Sequence, residues 1–205
     1  MTQVPLLQHG DVLLRAHRAE DAPAVAEQAR DPEMQRFTTV PVPYADVDAT
    51  AFLDAVARVW ATGSGAAWAI EVEQRFAGTV DLRFGEGWAS VGYGLAAWAR
   101  SRGVMSTADA LALEWGFTTG RLAGVRWEAF VGNEASRRVA EKCGFTMEGT
   151  ARGLSVARGV RHDAWIGSLL AEEWRARGGV STDPSGSPVI AMADHPRGTT
   201  DTLAG

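Results

Sequence analysis

The segment Arg100-Ser101-Arg102-Gly103-Val104-Met105-Ser106 sets two arginines and a glycine between the end of a strand-like run and the first turn of a helical pattern. A helix start leaves backbone N–H groups without intrahelical acceptors and carries the positive end of the macrodipole, so this junction suits a phosphate. Gly103 lets the backbone approach a ligand closely, and Arg100 and Arg102 add charge that fits a pyrophosphate. The plain alternative is an exposed turn with two solvated arginines. A second junction of the same kind runs from Asn133-Glu134-Ala135-Ser136 to Lys142-Cys143-Gly144-Phe145. Asn133 is a good N-cap there, and with Ser136 it need be no more than a helix start. If the strands that precede the two junctions are parallel neighbours, both helix starts face one crevice, the usual ligand position in such a sheet.

Gly92-Tyr93-Gly94-Leu95-Ala96-Ala97 matches the G-x-G-x-x-G/A dinucleotide fingerprint and follows a strand. Its context is wrong. The fingerprint opens a long crossover helix with an acid on the next strand about 20 residues on, whereas this chain reaches Gly103 first and Glu114 lies within a helical pattern.

The elements that must position these residues follow from periodicity. A short strand is expected over 11–17, and amphipathic helices over 22–30 and 45–61, separated by the turn Pro41-Val42-Pro43. Strands over 68–73, 76–84 and 88–95, joined by Glu73-Gln74-Arg75 and Gly85-Glu86-Gly87, should be antiparallel neighbours. Val104, Ala108, Leu111, Ala112 and Trp115 recur at helical spacing until Gly116 and Gly120 end the pattern. A strand over 125–131, a helix over 134–143 closed by Gly144, and strands over about 145–151 and 162–170 complete the body. The class is α+β: a mixed, mostly antiparallel central sheet with helices on both faces.

With 205 residues and a formal net charge of -5, the chain reads as an ordinary globular body, residues 1–178, followed by a segment of different character, 179–205. In that segment 17 of 27 residues are Gly, Pro, Ser, Thr or Asp, which predicts a flexible tail; Val189 to Ala193 is its one apolar patch. Cys143 alone excludes an internal disulfide framework, and His9, His17, His162 and His195 are too scattered for a structural zinc site, so no metal is expected. A reducing, cytoplasmic setting fits. No apolar run approaches the roughly 20 residues that span a bilayer, and mild acidity argues against nucleic-acid binding. Membrane and nucleic-acid partners are therefore not expected, and a homodimer is left open.

The ordered set Val91-Gly92-Tyr93-Gly94-Leu95, Arg100-Ser101-Arg102-Gly103, Asn133-x-x-Ser136 and Lys142-Cys143-Gly144-Phe145 resembles the GNAT superfamily of acetyl-CoA-dependent N-acetyltransferases. Within it the chain looks most like the RimJ- and RimL-like branch, which acetylates N-terminal amines of ribosomal proteins. The likeness runs from Leu13-Leu14-Arg15 to Ser168–Trp174. It implies that the loop from Arg100 through Ser101, Arg102, Gly103, Val104 and Met105 to Ser106 holds the diphosphate of coenzyme A on its backbone amides. Met105 departs from the small residue usual at its position and adds bulk where the chain must curl. Leu95 and Ala97 match the strand end that pairs with the pantetheine arm, Asn133 an asparagine touching that arm, and Ser136 a residue beside the thioester sulfur.

From that resemblance the implied reaction is acetyl transfer from acetyl-CoA to an amine acceptor by direct attack in a ternary complex. Ser136 is the expected proton donor to the thiolate and a backbone N–H near the splayed end of Gly92–Leu95 the oxyanion donor. Glu128 is the first candidate base and Glu148 the second, with ordered water as the alternative. The acceptor wall is expected from the helical segment after Asp31 and the last two strands, with Phe37, Tyr44, Phe52 and Trp60 as candidates; aromatics at helical spacing are equally well core. The eight tryptophans read mainly as packing, with Trp98 able to sit near the cofactor. The acceptor that the resemblance implies is a protein or peptide N-terminal amine; the alternative function is acetylation of a small-molecule amine such as an amino acid, polyamine or aminoglycoside, and the second alternative is a non-catalytic acyl-CoA-binding sensor.

Overall fold

The near-continuous apolar run Gly65–Val72 can only be a strand covered on both faces, and it is: all of its residues but Glu71 are buried. The computed structural model describes residues 3–178, with Ser181–Thr182 and Pro188–Val189 beyond them. Eight strands form one sheet: β1 (Leu7–His9), β2 (Val12–Arg15), β3 (Gly65–Val72), β4 (Arg75–Gly85), β5 (Trp88–Leu95), β6 (Gly124–Phe130), β7 (Thr146–Ala157) and β8 (Val160–Leu170). Their spatial order is β1-β2-β3-β4-β5-β6-β8-β7. The β5–β6 pair is parallel, and the other neighbours are antiparallel.

Alternation along the strands sends side chains to two apolar clusters. Trp68, Ile70, Val80 and Leu82 pack with α4 (Val104–Thr118) on one face. Ala69 and Phe76 pack with α1 (Ala22–Arg30) and α3 (Asp46–Thr62) on the other. Two short helices complete the described body, α2 (Pro32–Phe37) and α6 (Ala171–Ala176), while α5 (Glu134–Cys143) follows β6. The predicted class therefore holds.

Several boundaries move. Helix α4 runs through Gly116, where an added Cβ would sit 3.0 Å from Leu82 Cδ1 and 3.1 Å from Leu122 Cδ1. That glycine is a packing notch, and the helix ends only where Thr119 and Gly120 both donate to the Trp115 carbonyl. Strand β7 runs on to Ala157, well past its expected end near 151, and turns directly into β8, which starts at Val160 and otherwise matches the expected 162–170. Strand β1 and helix α6 complete the ends. Of the expected tail, Ser181–Thr182 and Pro188–Val189 pair antiparallel as β9 and β10, and its other residues lie outside the described ones. Trp60, Trp68 and Trp115 meet edge to face at 5.2–5.7 Å, so Trp60 belongs to the core and not to an acceptor wall. No helix among the described residues is long and apolar enough to cross a membrane.

One buried group runs against this packing. Asp109 on α4 is fully buried, and neither carboxylate oxygen has a hydrogen bond of good geometry; the neighbouring Cys143 thiol, which donates to the Ser106 carbonyl at 3.5 Å, offsets the burial of its charge only in part. Burial pushes the Asp109 carboxyl from 3.8 up to about 7. The folded state thus binds this proton more tightly than the unfolded chain, and the resulting stability, complete at acid pH, is lost as the pH rises through that window. Asp109→Asn, a neutral isostere, should melt like the parent near pH 4 and at a higher temperature at pH 8, a difference on the order of a few kcal/mol at most. Calorimetry at the two pH values measures it; equal destabilisation at both would mean the carboxylate is ionised and paired.

Candidate functional site

Strands β5 and β6 pair only from Trp88↔Gly124 to Val91↔Trp127. Both continue past that point, β5 along β4 to Leu95↔Gly78 and β6 along β8 to Phe130↔Ala164, but not along each other. The result is a wedge through the sheet between Gly92–Leu95 and Glu128–Phe130. A cleft of about 1210 Å³ passes through it, lined on the α4 and α5 side by the turn residues Arg100, Ser101 and Gly103 to Ser106 and by Asn133, Ser136, Arg138 and Lys142. On the α1 to α3 side it is lined by Gln28, Met34, Phe37, Tyr44, Asp48 and Phe52.

The first helix start is built as the sequence suggested. Gly103 sits at φ +78° as the N-cap of α4, with no protein atom within 4 Å of where a Cβ would stand. No side chain caps the helix, and its first backbone bond is Thr107 N–H to the Gly103 carbonyl at 3.1 Å. The amides of Val104, Met105 and Ser106 therefore meet no acceptor among the described residues, the requirement for an anion site. Met105 does not crowd the turn: its side chain is buried in the main core at 6% exposure, leaving its backbone at the cleft.

The two arginines behave differently from expectation. Arg102 turns outward to Glu73 at 2.6 Å and does not line the cleft. Arg100 is a strut: its guanidinium donates to the Leu95 carbonyl at 3.1–3.2 Å and to Asp31 Oδ1 at 2.6 Å. Asp31 in turn caps α2 by accepting the Met34 N–H at 3.1 Å. Burial opposes ionisation of Asp31, but the Arg100 guanidinium and the Met34 amide outweigh it and hold the carboxyl below its usual range. Ala97 and Trp98 line a different hollow, where Arg75 lies over the Trp98 ring at 4.4 Å, so neither side chain enters the cleft.

The second helix start carries a hydrogen-bonded knot. Asn133 Oδ1 accepts the Ser136 N–H at 3.1 Å, and α5 closes at Gly144 (φ +97°) with Phe145 N–H on the Ala140 carbonyl at 3.0 Å, a Schellman stop. Ser136 Oγ accepts the Trp127 indole N–H at 3.1 Å and lies 3.3 Å from the Tyr93 hydroxyl, which itself donates to the Ser136 carbonyl at 3.0 Å. Burial, and then the Asp109 carboxyl, push the Tyr93 phenol well above its ordinary value, so it stays a donor.

On the opposite side, Glu128 lines the cleft and its Oε1 accepts from Ser155 Oγ. Glu148 is bonded to Ser168 and lies outside the lining, so the second candidate base is not in the site. Sequence reasoning missed Asp81, which is paired with Arg83 at 3.0 Å and lines the cleft, its side chain 30% exposed. Burial raises its carboxyl to about 6 against the opposing pull of Arg83. The glycines of the dinucleotide-like motif floor this side: a Cβ at Gly92 would meet Arg83 and Asp81, and one at Gly94 would meet Gln28 and Met34. Arg158, at the β7–β8 turn, donates to the carbonyls of Gln35, Thr38 and Val40 and ties the hairpin to the end of α2. Among the described residues no cluster of His, Cys, Asp or Glu could hold a metal.

Residues 11–146 match a family model described as an acetyltransferase (GNAT) domain. Over 86 residues, 42% of this chain, the sequence is 37% identical to a Bacillus subtilis protein that bears the name ribosomal N-acetyltransferase YdaF; the match spans 47% of that relative, about half its length. Among solved structures, RimL, a ribosomal α-N-protein acetyltransferase in complex with coenzyme A, superposes with a TM-score of 0.75 at 19% identity, covering 82% of this chain and 99% of that one. RimJ of Mycobacterium smegmatis in complex with CoA-disulfide gives 0.72 at 21%, covering 86% and 94%. The microcin C7 self-immunity acetyltransferase MccE with acetyl-CoA and AMP gives 0.73 at 20%, covering 79% and 93%. At these identities the likeness is one of fold.

The strut is testable by itself. Arg100→Ala should destabilise the protein by about 1–3 kcal/mol, the usual range for losing charge-assisted hydrogen bonds at a partly buried site. In a double-mutant cycle with Asp31→Ala, measured by denaturant unfolding, the two losses should be strongly non-additive; simple additivity would separate α2 from the turn.

Proposed function

Because the chain belongs to the GNAT acetyltransferase family, we propose that it transfers the acetyl group of acetyl-CoA to a primary amine, and that the amine is the N-terminus of a protein or peptide. One observation carries this reading: the wedge between β5 and β6 opens beside three uncapped helix amides, so one cleft offers a diphosphate grip and an open strand edge together. Both fit coenzyme A, whose diphosphate would lie on Val104, Met105 and Ser106 and whose pantetheine arm would run along Gly92–Leu95 toward Ser136. Arg138 and Lys142 give that mouth positive charge.

The bound thioester supplies an activated acetyl group; the chain supplies position and protons. Backbone N–H groups of the unpaired stretch Gly92–Leu95 would polarise the carbonyl. Ser136 would donate to the departing thiolate. Its oxygen is held by Trp127, while its 3.3 Å bond to Tyr93 is long for a hydroxyl pair, so the proton is readily redirected. Asn133 keeps its amide NH₂ for the arm, since only its oxygen is used by the cap. At the other mouth Glu33, Asp48, Asp81 and Glu128 face Arg83 and Arg126, a balance that favours a cation.

The name of the Bacillus subtilis relative supports a ribosomal-protein or peptide acceptor. The comparable likeness to a self-immunity acetyltransferase bound to AMP supports a second reading, a small amine. Thiol release with peptides of varied first residue and with small amines separates the two.

Acetyl-CoA at 100 times its dissociation constant should stabilise the protein by about 2.7 kcal/mol in thermal shift, with NADH inert. Gly103→Glu should abolish that shift while costing the unliganded protein only about 1–2 kcal/mol, because the space there is open and the strain comes from the positive φ alone, whereas the added negative charge repels a diphosphate. Retained affinity would displace the diphosphate from this turn. Ser136→Ala should lower kcat by about 10²-fold, the low end for a proton-transfer group, with affinity for CoA little changed; parent-like kcat removes it from the mechanism.

A further inference from the structure

Gly92 stands one residue beyond the last β5–β6 pair, Val91↔Trp127, and so does Glu128 on the other strand; across β4, Gly92 is registered with Asp81. Asp81, Gly92 and Glu128 thus lie level on three adjacent strands. The central position has no side chain, and the two carboxylates flank it at about two strand spacings, roughly 10 Å or more. The gap is not empty. A Cβ on Gly92 would fall 2.6 Å from Arg83 Nη2 and 2.8 Å from Asp81 Oδ2, so the guanidinium of Arg83 occupies the notch in front of Asp81. The Arg83 side chain as a whole is 64% exposed, and it bonds Asp81 through Nε at 3.0 Å. The guanidinium is a cation lodged where an incoming cation would meet the carboxylate, on a long side chain free to swing into solvent.

Resting on the acetyl-transfer reading, we propose that Asp81 takes the proton from the acceptor's ammonium group, which enters over Gly92 between Asp81 and Glu128 and displaces Arg83. The proton balance closes. The ammonium gives one proton to Asp81, which passes it to water. The freed nitrogen lone pair forms the C–N bond as the C–S bond breaks, and a second proton leaves that nitrogen for the thiolate by way of Ser136. The third stays on the amide.

Asp81 suits this role better than Glu128. Its carboxyl is drawn up to about 6 by burial, close to the strength a base needs near neutral pH, while Glu128 is exposed and tied to Ser155. The charged groups sharing the cleft from other elements are Arg126 and Glu128 on β6, Asp48 on α3 and Glu33 on α2, with Arg100 at the turn before α4 and Arg138 and Lys142 on α5 lining its α4 and α5 side. Asp48 is held by the Ala45 N–H at 2.7 Å as the α3 cap. His17, at the Thr79 hydroxyl, is neutral above about 4 because it is buried, and burial raises the Tyr44 phenol, so neither titrates near 6.

The first test needs no acetyl-CoA. Side-chain carboxyl NMR of the free protein should show one signal, absent in Asp81→Asn, that titrates near 6. It should titrate higher in Arg83→Gln, where a favourable neighbouring charge is lost, and lower in the presence of ethylammonium, which Arg83→Gln should bind more tightly than the parent. A signal indifferent to ethylammonium in both proteins overturns the proposal. In turnover with acetyl-CoA and the best amine of the panel, Asp81→Asn should lose about 10²-fold or more in kcat/KM. It should also lose the acid limb of the pH profile, with KM for acetyl-CoA unchanged; Arg83→Gln should move that limb upward. An unaltered pH profile in Asp81→Asn likewise overturns the assignment. Failure of the parent protein to bind acetyl-CoA would instead sink the acetyl-transfer reading, while the titration would still report on Asp81.

Discussion

Everything in the site follows from two parallel strands that stop pairing while each keeps its other neighbour. Unpaired strand edges are costly where water is excluded, and a sheet interrupted at its middle needs something to hold it open. Here the prop is the knot at the start of α5: Tyr93 from β5, Trp127 from β6 and Ser136 from the helix bond one another across the opening. Arg100 spans the far end of β5, holding the Leu95 carbonyl and, through Asp31, the start of α2. The wedge is therefore fixed by side chains from both strands and from the elements on either face.

The same opening sorts charge. Helix starts and basic side chains crowd one mouth, and carboxylates outnumber arginines at the other. An anionic carrier and a cationic acceptor would be drawn to opposite sides of the sheet, and the reacting atoms would meet only at the wedge. Glycines 92 and 94 make this possible, because any side chain there would collide with Arg83 and Asp81 or with Gln28 and Met34. Their spacing imitates a dinucleotide fingerprint, yet they clear a groove floor and shape no phosphate turn.

What could be read from the residues was local. The Gly103 turn, the Asn133 cap and the Gly144 stop are written in short stretches whose backbone chemistry decides their shape, and Ser136 and Asn133 reach the cleft as their place in the motif implied. What escaped depends on distant partners. Thr79-Val80-Asp81-Leu82-Arg83 alternates like any strand with one wet face; only the packing of α1 and α3 over that face turns Asp81 into a cleft residue. Arg102 looked equivalent to Arg100 until Glu73, 29 residues away, claimed it. The β7–β8 hairpin was underestimated because much of β7 is exposed, which leaves no alternating apolar signal. Trp60 sat at helical spacing with Phe52, which lines the cleft, and only the meeting of three indoles assigns it to the core.

Helix α4 shows how a reactive helix start is kept intact without a cap. Free amides at an N-terminus ordinarily fray, and the sequence around Gly103 provides no capping side chain and no acidic first turn to offset the dipole. The anchoring comes from burial: 12 of the 15 residues of α4 are buried, including Val104 and Met105 in the first turn itself. The helix therefore cannot unwind from its start without exposing core, and the amides stay aimed and unpaired in readiness for an anion. That arrangement also explains why a helix so deeply packed can carry Asp109: its many apolar contacts leave a margin that one strained carboxyl does not exhaust.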